Sequence, residues 1–201
     1  KIAKKNNVKI VEDACLATGS SFGNKKIGSI GDITVFSTNP GKVLDGIGHG
    51  GIITTNSKKY YLKLKQLRDY GRKQRPGKWP IKSQMIGYNS KLSTIDAAIL
   101  NIRLKKLNWY IKKRNLHANL YRKLLQSKYI KFQLPYKNSL PVWRNFPIRV
   151  KKRNYIYNEL YKKKYKVKLN YLPPNHLDIC YSKFKKKNKL TYYRKNIIRN
   201  Y

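Results

Sequence analysis

Short apolar runs alternate with amphipathic stretches along the first part of the chain. "IAKKNN" (2–7) reads as the end of an amphipathic helix stopped by an Asn pair. "KIVED" (9–13) is a brief apolar run closed by two acids, the pattern of a buried parallel strand whose C-terminal end opens onto a site. "GNKKIGSIGD" (23–32) is a glycine-punctuated turn or short hairpin, and "ITVFST" (33–38) and "GIITTN" (51–56) are two further strands. "KKYYLKLKQLR" (58–68) has helical spacing, with Leu62, Leu64 and Leu67 partly on one face.

A Gly- and Pro-rich loop, 71–92, precedes the strongest helical signal of the chain, which runs from Ser93 to Leu125. Ser93 or Thr94 can cap it, and Ile95, Ala98, Ile99, Ile102, Leu107 and Ile111 repeat helically. A helix of that length is expected to break or to link two domains. Beyond "FQLPYKNSLPVW" (132–143), "RNFPIRV", "RNYIYNELYKKKY" and "VKLNYLPP" predict strand, helix and strand. The order predicts an α/β fold with its ligand above the strand ends, followed by a small α+β unit. The expected boundary divides 1–125 from 126–201.

Composition changes this picture less than its extremity suggests. The net charge is +39, with 47 basic residues against eight acids in 201 residues, which invites a nucleic-acid reading. Of the basic residues, however, 36 are Lys and 11 are Arg, scattered from Lys1 to Lys195, and the chain is also rich in Asn, Ile and Tyr. A- and T-rich codons give that profile without selection for a basic surface. A nucleic-acid module would gather Arg and aromatics into one patch, so the nucleic-acid reading ranks last.

The scarce acids are more informative. They are Glu12, Asp13, Asp32, Asp45, Asp69, Asp96, Glu159 and Asp178, and three of the first four lie at strand ends or glycine turns near Lys42. Cys15 and Cys180 lack metal-ligand or disulfide-framework spacing, no apolar run approaches membrane-spanning length, and no signal peptide is visible. These features fit a reducing, cytoplasmic setting with no membrane and no metal. The chain starts without Met inside one helical pattern and ends inside another, as an internal piece of a longer protein would.

"FSTNPGKVLDGIGHGG" (36–51) crowds glycines around one lysine between two strands. A lysine amine forms a Schiff base with an aldehyde cofactor, most commonly pyridoxal phosphate. Such a cofactor needs an acid at its ring nitrogen, which Asp13 can supply from the end of a neighbouring strand. Its phosphate needs hydroxyls and backbone N–H groups, available from Ser37, Thr38 and the glycines. Asp32 reads instead as a structural turn acid, and His49 and His117 as surface or packing residues.

The run from "VEDACLATGSSFG" to "GIITTN" resembles the cofactor region of the DegT/StrS-type sugar aminotransferases, fold-type I pyridoxal-phosphate enzymes. "LRDYGR", "IGYNSKLSTIDAAIL" and "PPNHLD" follow in the same order, so the resemblance covers Ile2 to about Asp178. It implies part of a large domain, a mostly parallel sheet between helices, followed by part of a small C-terminal domain. It implies that Lys42 bonds the cofactor and moves the proton, that Asp13 partners the pyridine nitrogen, and that Ser37 holds the phosphate. It further implies that Asn89 reaches the phosphate of the other subunit of a homodimer, and that His176 lies on the sugar side. The implied reaction makes an amino sugar from a nucleotide-linked keto sugar, with glutamate as donor. Retention of Lys42, where dehydratase relatives have His, favours amino transfer.

Leu16 departs from the usual Gln or His beside the cofactor ring, His49 stands in place of an acid, and Lys91 in place of Arg. Leucine cannot hydrogen-bond the cofactor's phenolic oxygen. A catalytically impaired or regulatory paralogue of the same fold therefore stays open as the alternative, ahead of a basic nucleic-acid-binding protein.

Overall fold

The computed structural model describes residues 2–73, 82–169 and 178–184. The chain is mixed α/β and forms two compact units, Lys1–Tyr121 with Leu134–Phe146, and Arg122–Gln133 with Pro147–Tyr201.

In the first unit, helix α1 (Ile2–Lys5) leads into strand β1 (Val11–Asp13). A hairpin of β2 (Ser21–Phe22) and β3 (Lys25–Lys26) follows, then β4 (Ile33–Ser37) and β5 (Gly51–Thr54). The sheet order is β1-β4-β5. β1 runs parallel to β4, with Asp13 opposite Val35, and β5 joins β4 antiparallel, with Ser37 opposite Gly51. The expected strands and hairpin are therefore present.

One expectation fails. "KIVED" does form a parallel strand but not a buried one. β1 is the edge of the described sheet, and Val11 is 69% exposed. Asp32 is structural, as its turn position suggested: its carboxylate accepts the Ile10 N–H at 2.9 Å and pairs with Lys9 at 3.2 Å, fixing the entry to β4.

Helix α2 (Lys58–Leu67) starts at Ser57, whose hydroxyl accepts the Tyr60 N–H. The long helical segment breaks at Lys106 into α3 (Thr94–Lys105) and α4 (Leu107–Leu124), and Ser93 caps α3. The predicted stripe holds in α4, where Leu107 and Ile111 are buried, but not in α3. Asp96, Leu100, Leu107, Ile111 and Ala118 are buried, whereas Ile95 and Ile102 are more than 60% exposed. An apolar run wider than one face leaves packing, not periodicity, to choose the inward side.

The core of this unit gathers Val43, Leu44, Leu100, Leu107, Ile111 and Val142, with Ile52 and Leu92 packed against it. Val142 arrives through segment 134–146, which carries β7 (Ser139–Leu140) paired to β2. Asn115 on α4 fastens this segment, donating to Pro141 O (2.8 Å) and accepting from Trp143 Nε1 (3.1 Å). Leu107→Ala is expected to destabilise this unit by about 2–5 kcal/mol, because it empties a six-residue core that the break between α3 and α4 already constrains. The measurement is the urea midpoint at unchanged m-value.

The second unit pairs β6 (Ile130–Phe132) with β8 (Ile148–Val150) antiparallel, and α5 (Arg153–Lys162) follows. A 3-10 turn spans Ile179–Phe184. The expected strand at "VKLNYLPP" is absent at 167–169, and its remainder lies outside the described residues.

Candidate active site

Parallel pairing puts the last residues of β1 and β4, Asp13 and Ser37, at one end of the sheet, and the chain leaves Ser37 directly into the lysine loop. The loop closes on itself. Thr38 N–H donates to Gly50 O (2.9 Å), Gly46 N–H to Thr38 O (2.7 Å), Lys42 N–H to Asn39 O (3.1 Å), and Gly50 N–H to the Asn39 side chain (3.0 Å). Val43 and Leu44, the next two residues, are buried in the core. Lys42 is thus held at the backbone from both sides while its own side chain stays half-buried.

The exposed Asp13 carboxylate accepts the Cys15 N–H at 3.0 Å. The Cys15 side-chain and backbone hydrogen bonds hold the Asp13 carboxyl below its ordinary value, and the Lys42 charge adds a weaker pull in the same direction. Conversely, the hydrogen bond to Asp13 pushes the Cys15 thiol up, with burial and the Asp13 charge acting likewise and Lys42 opposing. The three groups share one electrostatic environment. Asp13 stays ionised from neutral pH down through the mildly acid range, which is the state a protonated ring nitrogen requires.

Ser37 is half-buried at the end of β4, with its Oγ 3.4 Å from the Asn39 N–H that it accepts. Asn89 stands on the exposed loop before α3, where its backbone bridges that of Asp69. Among the described contacts, none joins Asn89 to Asp13, Ser37 or Lys42. His176 lies outside the described residues. Lys91 pairs with the buried Asp69 at 2.9 Å, a structural use of a position noted above as a departure. Leu16, three residues past Asp13, is 48% exposed, and His49 is exposed.

Sequence reasoning overlooked the groups that fasten the loop. Asp96 Oδ1, in the first turn of α3, accepts the N–H groups of Ile47 (2.9 Å) and Gly48 (3.1 Å). Arg103, in the last turn, donates to Asp45 O at 2.7 Å and pairs with the Asp45 carboxylate. Arg144 donates from Nε to Gly41 O at 3.0 Å. Asp96 stood in the sequence only as one of eight scarce acids with no assigned task, and nothing marked Arg103 or Arg144 among so many cations.

Residues 1–196 match the DegT/DnrJ/EryC1/StrS aminotransferase family. The chain belongs to that family. It is 33% identical over 187 residues to a dTDP-3-amino-3,6-dideoxy-alpha-D-galactopyranose transaminase of Aneurinibacillus thermoaerophilus, covering 93% of this chain and 50% of the relative. To a dTDP-3-amino-3,4,6-trideoxy-alpha-D-glucose transaminase of Streptomyces venezuelae it is 30% identical over 182 residues, 90% and 47% of the two chains. The crystal structure of S. venezuelae DesV in complex with a ketimine intermediate superposes with a TM-score of 0.84 at 28% identity, covering 96% of this chain and 51% of that one. The chain therefore spans about half the length of the relatives it matches. Its fold is that of the fold-type I aminotransferases, and family membership implies pyridoxal phosphate.

The residues present fit that group by their chemistry: an amine on a fixed loop, an exposed carboxylate held ionised beside it, and a hydroxyl at the adjoining strand end. No helix among the described residues is long and apolar enough to cross a membrane, and no metal-ligating cluster occurs among them.

Proposed function

We propose that the protein to which this chain belongs is a pyridoxal-phosphate-dependent aminotransferase. It converts a nucleotide-linked keto sugar into an amino sugar in the cytoplasm, with glutamate as amino donor. The observation that supports the reading is that Asp13 ends β1 parallel to β4, the strand that runs out into the loop carrying Lys42. The fold puts a carboxylate kept ionised within electrostatic reach of an amine whose backbone is fixed on both sides.

The bound cofactor supplies an electron sink for the substrate carbon. The chain's own groups do the rest. Lys42 would hold the cofactor through its Nζ and would serve as the general base and acid that takes and returns the substrate proton. Asp13 would partner the ring nitrogen and keep its proton in place by charge. Ser37 would hold the phosphate through its Oγ, and Asn89 would do so from the second subunit of a homodimer. His176 would serve the sugar side.

Leu16 favours a second reading, a catalytically impaired paralogue, because an alkyl side chain stands where a hydrogen-bonding one is usual. Assay of the full-length protein with glutamate and a panel of nucleotide-linked keto sugars separates the two readings. Formation of 2-oxoglutarate that depends on both added pyridoxal phosphate and one of the sugars is the expected result. Cofactor binding without turnover on any sugar favours the paralogue.

A further inference from the structure

The Asp96 carboxylate sits in a socket made by the lysine loop. Asp96 is 8% exposed, yet its hydrogen bonds run to a loop 48 to 49 residues away in sequence, not only to its own helix. A Cβ on Gly46 would come within 2.7 Å of Asp96 Oδ1, and one on Gly48 within 3.0 Å of Oδ2. Glycine at both positions is thus what lets the loop backbone close over the carboxylate. Ser93 completes the arrangement: its hydroxyl donates to Oδ2 at 3.4 Å and accepts the Asp96 N–H at 3.1 Å, so the cap that starts α3 also orients the carboxylate.

Arg103 lies seven residues further, two turns along the same face of α3. It grips Asp45 through the backbone carbonyl and the side chain, and Asp45 Oδ2 in turn accepts the Gly41 N–H at 3.0 Å. The acid stands at the N-terminus of the helix and the base at its C-terminus, the placement the helix dipole favours. One helix face therefore holds 45–48 at two points, and through Asp45 it also reaches the residue before Lys42. Between the holds lie Lys42 and the core anchors Val43 and Leu44.

We infer that Asp96 and Arg103 are positioning residues for Lys42: they fix the loop so that its amine stays opposite Asp13. Neither touches the reacting atoms. A lysine displaced by even a fraction of its side-chain length would still bond the cofactor but would return the proton poorly, since proton transfer depends on alignment more than bonding does.

This inference rests on the aminotransferase reading, and the experiment keeps the two apart. Wild type, D96A, R103A and the control D32N are prepared as full-length protein loaded with pyridoxal phosphate. Borohydride reduction and peptide mass spectrometry report whether Lys42 carries the cofactor. Absence of the adduct in wild type overturns the aminotransferase reading itself. With the adduct present, D96A and R103A are expected to retain it. Their kcat should fall by about 10- to 100-fold while KM changes by less than about threefold. Their visible circular dichroism per bound cofactor should fall to about half or less, as alignment of the chromophore is lost. D32N keeps an acceptor for the Ile10 N–H but removes the charge that pairs with Lys9 at the opposite end of β4, and should leave the dichroism unchanged. D96N, which keeps the shape and the Oδ1 acceptor, should recover most of the D96A loss. Should D96A fail to fold, R103A carries the test, because Arg103 is partly exposed and outside the core. Unchanged kcat and dichroism in the soluble variants overturn the inference, as does a D32N change equal to theirs.

Discussion

Replacing Lys42 with Ala in the full-length protein is expected to lower kcat by about 10³-fold or more, because on the proposed function it removes both the covalent anchor and the proton carrier. The variant should stay folded. Lys42 is half-buried and outside the hydrophobic core, while the bonds that shape the loop belong to its backbone and to Asn39, Asp96 and Arg103. Thermal unfolding of the variant should therefore stay near wild type in the absence of cofactor. Activity close to wild type, or wholesale unfolding, would each contradict that division of labour between anchor and scaffold.

The second large effect is expected from Asp13→Asn, at about 10²- to 10³-fold in kcat, the range seen when one preorganised electrostatic partner is lost. Asn cannot carry the negative charge that keeps a ring nitrogen protonated. The sign of the pH effect follows from the structure: the Asp13 carboxyl is held below its ordinary value by its bonds to Cys15 and by Lys42. The activity that depends on its charge is therefore present at neutral pH and is lost only as pH falls through that depressed value. The variant has a second readout, independent of turnover. Asp13 raises the Cys15 thiol, so D13N should bring that thiol down and speed its alkylation at a given pH, with the exposed Cys180 as internal reference. An alkylation profile unchanged at Cys15 would show that the carboxylate does not govern this environment.

Much of the fold near Lys42 was legible because it depends on local chemistry. Acids at the end of "KIVED", glycines around "GNKKIG" and the β-branched runs at 33–38 and 51–56 each specify backbone geometry within a few residues. The hairpin, β4 and β5 follow from them. What stayed hidden depends on pairing across long separations. Leu107 and Ile111 face inward as the period suggested, but in α3 Asp96 and Leu100 take the inward side from Ile95, Ala98 and Ile102, because the lysine loop supplies partners for a buried carboxylate. Likewise β7 and the return of 134–146 to the first unit are carried by Asn115, Trp143 and Val142. In sequence none of those three stands out.

The same contrast applies to the candidate site. Lys42, Asp13 and Ser37 could be named from spacing and resemblance, and the register of β1 on β4 puts the latter two at one end of the sheet. Asp96 and Arg103 could not, since their function lies in contacts 48 to 58 residues away along the chain. A glycine-rich loop announces flexibility in sequence. In the fold two of those glycines serve the opposite purpose, giving a carboxylate room to lock the loop.

The central claim is that Lys42, one lysine among 36, is the residue that bonds the cofactor. Incubating the full-length protein with pyridoxal phosphate, reducing with borohydride and mapping the modified peptides tests it directly. The account predicts one near-stoichiometric pyridoxyl modification, on the peptide containing Lys42, and its disappearance in Lys42→Ala. Modification spread over many lysines with no preference for Lys42 would contradict it.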